Sequence, residues 1–154
     1  VGTDGEIRTA GREYGRFTYR GSYFKTSGDI VAEARFTLTA GDARECRRKV
    51  DEILTIRRGK HPVEDCSAGC FFKNVEDPTQ PYGKMPAGRL LEEIGAKRMA
   101  VGGAKVFERH ANIIMNAGSA SSHDIRALAD LLKQKVYDKF GIMLQEEVIQ
   151  LGNF

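Results

Sequence analysis

The sequence has no tryptophan and no apolar run near the roughly 20 residues that a membrane-spanning helix needs, so no membrane partner is expected. No signal-peptide pattern is visible. Its three cysteines, Cys46, Cys66 and Cys70, are an odd number, which does not make a disulfide framework and fits the reduced thiols of a cytoplasm. His61, His110 and His123 do not fall in ligand spacing with them, and Cys66-x-x-x-Cys70 lacks a second pair, so no metal site is expected. A Walker loop and a dinucleotide fingerprint are both absent. So is any Arg-rich tract interleaved with aromatics. The net charge of +3 and pI of about 8.8 therefore allow a phosphate-bearing ligand without calling for nucleic acid.

What is present is ordinary for a folded domain: 154 residues, 41% hydrophobic and 29% charged, enough to bury a core without staples. The chain opens at Val1 rather than Met, as expected of a fragment of something longer. Residues 1–40 read as β: a turn at Thr3-Asp4-Gly5, short strands after it, and a clean alternation from Ile30 to Leu38. Asp42 opens a predicted helix to about Arg58, with Cys46, Val50, Ile53 and Leu54 as its apolar stripe and Gly59 as its stop. Residues 75–85, with Pro78, Pro81 and Gly83, read as a loop, and Pro86 as the first turn of a short helix. Lys97 to Val106 reads as strand and turn around Gly102-Gly103, and Ala111 to Asn116 as a buried strand. Ser121 and Asp124 have capping-box spacing ahead of a helix from Ser122 to Phe140, closed by Gly141. A last strand runs from Ile142 to Leu151. The sum is α+β.

Three features suggest chemistry. In Ser67-Ala68-Gly69-Cys70-Phe71-Phe72-Lys73-Asn74, small residues let backbone approach a ligand, and a thiol stands near a cation and an amide. Arg20, before the Gly21-Ser22 turn, has the fork geometry to clamp a carboxylate. Glu147 lies in an apolar strand pattern, where partial burial raises a carboxyl pKa toward general-acid work. Each residue also has a plain structural reading. Taken singly, they support a soluble α+β domain with a candidate anion site and no more.

Together and in this order they resemble the UDP-N-acetylenolpyruvoylglucosamine reductase family. Phe17-x-Tyr19-Arg20-x-Ser22-x-Phe24-Lys25 is similar to the segment that ends that family's flavin-binding half. The octad resembles its AGS-x-FKN motif, with Cys70 where Ser is more common. Ala87-Gly88-Arg89-Leu90-Leu91-Glu92, Gly102-Gly103-Ala104-Lys105-Val106, His110-Ala111-Asn112, Asn116-Ala117-Gly118 and the ending from Lys135 to Val148 match as well.

The resemblance implies reduction of the enolpyruvyl ether of UDP-N-acetylglucosamine to UDP-N-acetylmuramate, a cytoplasmic step of peptidoglycan synthesis using FAD and NADPH. It implies that Arg20 and Glu147 stabilise charge on the substrate carboxylate and that Cys70 donates the proton. Lys60 and Asn74 match positions that contact the UDP-sugar. Residues 1–40 are then the tail of the FAD-binding domain and 41–154 the substrate-binding domain. With most of the flavin region expected to precede Val1, the alternative is a UDP-sugar-binding module without redox activity of its own. A nucleic-acid-binding domain is supported by the pI alone.

Overall fold

The computed structural model describes residues 1–62 and 66–152, and the chain divides into two units, Val1–Asp42 and Ala43–Phe154. In the first unit a 3-10 turn, Arg12–Gly15, and a short helix α1, Phe24–Ser27, gather an aromatic group. Tyr14 stacks edge-on against Tyr23 at 5.2 Å between centroids, Phe17 and Phe24 lie 6.3 Å apart, and the Tyr14 hydroxyl donates to Asp29 at 2.9 Å. The predicted turn at Thr3-Asp4-Gly5 forms, with the Gly5 N–H donating to Gly2 O. The predicted strands do not. Pairing among this unit's described residues is limited to a bridge, Thr18 to Gly21, and to the two backbone hydrogen bonds that Val1 and Ile30 exchange, at 2.7 and 2.9 Å. Beyond Ile30 the alternating stretch to Leu38 has no ladder partner there, and Phe36 and Leu38 stand more than 80% exposed. Alternation marks a strand's faces but does not supply the neighbouring strand that makes it one.

The second unit runs α2 (Ala43–Lys60), β1 (Cys66–Cys70), β2 (Val75–Glu76), β3 (Lys84–Met85), α3 (Ala87–Glu93), β4 (Ala100–Val101), β5 (Ala104–Val106), β6 (Ile113–Asn116) and α4 (Ser122–Phe140). α2 extends two residues past the predicted end, and Gly59 lies inside it. Its stripe of Val50, Ile53 and Leu54 stays exposed. The predicted loop at 75–85 contains the β2–β3 ladder, with Val75 opposite Met85. Pro86 is the residue before α3 rather than within it.

Four strands form an antiparallel sheet in the order β1-β6-β5-β4. α4 covers one face, with Leu128, Leu132 and Val136 fully buried against Ala104, Val106 and Ile114. Each such side chain contributes roughly 1.5–3 kcal/mol of hydrophobic stabilisation. The capping box forms as its spacing predicts: Ser121 Oγ accepts the Asp124 N–H at 3.1 Å and Asp124 Oδ2 accepts the Ser121 N–H at 2.9 Å. Gly141 ends α4 at φ 69°. The other sheet face carries a separate cluster, Phe107, Ile113 and Met115. The predicted last strand is an extended tail that meets the sheet region through one bridge, Phe72 to Glu146.

Candidate active site

The site is built on a fault in β1. Cys66 pairs with Asn116 and Ser67 with Met115, but Cys70 pairs with Ile113, so one residue is inserted between Ser67 and Cys70. Gly69 absorbs it at φ +83°, a left-handed backbone that favours glycine. The insertion decides where the thiol goes. In unbroken register Cys70 would fall opposite Asn112, on the face covered by α4. The bulge moves it to the face shared by Ser67, Ile113 and Met115, where it is half-buried.

Beyond Cys70 the octad is held from both sides. Asn112, 3% exposed, accepts the Phe71 N–H on its carbonyl at 2.7 Å. Its side chain accepts the Phe72 N–H at 2.9 Å and donates to Phe72 O at 2.8 Å. On the opposite edge the tail runs antiparallel: the Lys73 N–H donates to Gln145 O and the Glu147 N–H to Phe71 O, both at 2.8 Å. Glu147, half-buried, therefore lies across from the residue that follows Cys70. Lys133 on α4 fixes this tail, reaching Glu146 at 2.7 Å and Asp130 at 2.6 Å. Burial pushes the Lys133 pKa down, but its two carboxylate hydrogen bonds outweigh that and leave it raised.

Asn74 closes the octad. Its side-chain oxygen accepts the Ala87 N–H at 3.2 Å, satisfying one of the unpaired donors at the start of α3. Lys60 is the exposed last residue of α2. The next residue, His61, lies 5.4 Å from His110 between ring centroids, and His110 Nδ1 accepts the Asn112 N–H at 3.3 Å. Arg109 adds a hydrogen bond to Gly59 O at 3.3 Å. The end of α2 is thus tied to the residue that clamps the octad. Burial, then the neighbouring His61, lowers the pKa of His110. Arg20 belongs to the other unit. It sits at φ +54°, rare for a residue with a side chain, in the turn closed by Thr18 and Gly21. Its guanidinium lies 5.4 Å over the Tyr19 ring, and its carbonyl accepts Lys25 Nζ at 2.9 Å.

The octad, with Cys70 and Asn74, is therefore paired through its backbone with the tail that carries Glu147, and the end of α2 at Lys60 is linked to it through His61 and His110. The motif readings had passed over Asn112 as a working part. Its signal was an amide inside the apolar run Ala111-Asn112-Ile113-Ile114, where a buried polar group must find partners. Among the described residues no three His, Cys, Asp or Glu side chains group as a metal site, and no helix is long and apolar enough to cross a membrane.

Residues 61–151 match the family model described as UDP-N-acetylenolpyruvoylglucosamine reductase, C-terminal domain. The chain belongs to the UDP-N-acetylenolpyruvoylglucosamine reductase family. The enzyme of that name from Heliobacterium modesticaldum is 39% identical over 99% of this chain and 47% of its own length. The one from Clostridioides difficile is 38% identical over 97% of this chain and 47% of its own. Among solved structures, the reductase from Thermus caldophilus aligns with a TM-score of 0.66 at 34% identity, covering 88% of this chain and 44% of that one. The α+β fold agrees with that neighbour. The chain spans about half the length of the curated relatives it matches.

Proposed function

We propose that this chain is the substrate-binding part of a cytoplasmic UDP-N-acetylenolpyruvoylglucosamine reductase, an oxidoreductase of peptidoglycan synthesis that turns the enolpyruvyl ether of UDP-N-acetylglucosamine into UDP-N-acetylmuramate. Residues 41–154 hold the UDP-sugar, and residues 1–40 are the tail of the FAD-binding domain. The observation that supports this reading is the bulge that turns Cys70 to the sheet face away from α4, with the tail that carries Glu147 hydrogen-bonded to the next residue, Phe71.

A Cβ on Gly69 would meet nothing within 4 Å. That open space fits a flat ring lying against the backbone beside Cys70, so Gly69 and Cys70 would form one wall for the flavin. When bound, FAD reduced by NADPH supplies the hydride. This chain's own residues manage the charge and the proton. Addition of hydride to the vinyl carbon leaves negative charge on the adjacent carbon, delocalised into the substrate carboxylate. The Arg20 guanidinium neutralises that carboxylate. The Cys70 thiol gives its proton to the carbon. An ordinary thiol, with a pKa of about 8.5, stays mostly protonated at neutral pH and is a far stronger acid than a hydroxyl. Glu147 completes the catalytic set that the family resemblance assigns to the charged intermediate. Lys60 offers a cation to the diphosphate and Asn74 an amide to the sugar.

Calorimetric titration of the chain with UDP-N-acetylglucosamine enolpyruvate tests the binding half of this reading. Saturable binding, weakened at least tenfold by Lys60→Ala, is expected; no binding at millimolar ligand removes it. The second reading is a UDP-sugar-binding module without redox activity of its own. A visible spectrum of the purified chain decides between them: a flavin band supports the reductase, and ligand binding without one supports the module.

A further inference from the structure

The sheet face that carries Cys70 continues across β6 to the opposite edge. Lys105 pairs with Met115 on one side and with Ala100 on the other, so Met115, Lys105 and Ala100 form a row on the face away from α4. Above this row lies a cleft of about 430 Å³, within the range of small-ligand sites. Its floor includes Met99, Phe107 and Met115, and its walls carry four cations, Lys97, Arg98, Lys105 and Arg109, against the single carboxylate of Glu108.

These cations differ in how they are held. Lys97 is paired with Glu92 at 2.6 Å. Arg109 is braced, its guanidinium 5.1 Å over the Phe107 ring and its Nη1 donating to Gly59 O. Among the described residues, Arg98 and Lys105 are exposed and have no carboxylate in ion-pair range. Like charges collected over an apolar floor repel one another, and a multivalent anion relieves that repulsion. The braced Arg109 also offers the outer face of its guanidinium as a stacking surface for a flat ring. Strands lie about 4.8 Å apart, so Lys105 on β5 is roughly 10 Å across the sheet from Ser67 on β1. The cleft thus shares a face with Cys70 but centres on β5 rather than β1, and Met115 on its floor pairs with Ser67 of the octad.

We propose that this cleft is a second anion site, binding a small molecule with two linked phosphates, and that Arg98 and Lys105 are its principal contacts. It is distinct from the Lys60 and Asn74 positions assigned above to the UDP-sugar, and it does not depend on that assignment. Inorganic pyrophosphate and ADP, titrated calorimetrically into the chain at 0.15 M salt, are the probes. One-site saturation is expected. Arg98→Glu with Lys105→Glu weakens it at least tenfold while the melting temperature is kept, and Lys60→Ala changes it less than twofold. ADP binding tighter than pyrophosphate assigns a ring-bearing ligand stacked on Arg109; equal binding assigns the diphosphate alone. Non-saturating heats, binding that survives the double charge reversal, or binding lost with Lys60→Ala would overturn the proposal. Because the UDP-sugar titration reads Lys60 and this one reads Arg98 and Lys105, either reading can fail without the other.

Discussion

His110 accepts the Asn112 N–H through an unprotonated Nδ1, and that bond joins the end of α2 to the residue holding Phe72 on both its backbone groups. His61 and, through longer-range charge, Glu92 and Lys97 also act on the ring; Glu92 alone among them favours the proton, and burial wins against it. The folded pKa of His110 therefore lies below its ordinary value near 6.5. Its stability contribution is present in full above that ordinary value. It is lost as pH falls from there toward the depressed folded value, because the unfolded chain then binds the proton more readily. Melting temperatures measured from pH 8 to pH 5 should drop over the lower half of that range. The drop should shrink in His110→Gln; an equal drop in both proteins would remove His110 as its source. Residue identity made some of this legible. Asn112 had to be paired because it is an amide in an apolar run, whereas its choice of the Phe72 backbone depended on a contact 40 residues away.

Local signals served the helices well and the strands unevenly. α4 needed only its own sequence: a capping box, an apolar stripe and a closing glycine all lie within or beside it. β6 was readable as an apolar run, and the β4–β5 hairpin through Gly102-Gly103. The alternation at 30–38 forms no strand and the predicted strand at 142–151 reduces to a bridge with Phe72, because a ladder needs a partner that local pattern does not supply. The bulge in β1 lay between these cases. Gly69 announced a bend, and pairing with β6 turned that bend into a change of face for Cys70. Since nothing crowds a Cβ at Gly69, replacement by Ala should cost only the backbone strain of φ +83°, about 1–2 kcal/mol. That corresponds to a fall in melting temperature of roughly 2–8 °C for a chain of this size. No change in melting temperature would mean that the left-handed bulge is not maintained.

Across the whole molecule, the candidate site draws on segments distant in the chain: the end of α2, the octad, Asn112 and the tail that carries Glu147. Sequence motifs named most of these residues but could not say that the tail lies against the octad, or that Lys133 on α4 anchors it through Glu146. Arg20 lies in the first unit, in a strained turn of its own. The proposed role of Cys70 is that of an acid toward carbon rather than a nucleophile. Single-turnover kinetics of the complete enzyme with Cys70→Ser and Cys70→Ala test it most directly. Cys70→Ser should keep substantial turnover, while Cys70→Ala should be reduced by NADPH at the normal rate yet form product at least a hundredfold more slowly, the lower range for loss of a positioned proton donor. Normal product formation by Cys70→Ala would contradict it.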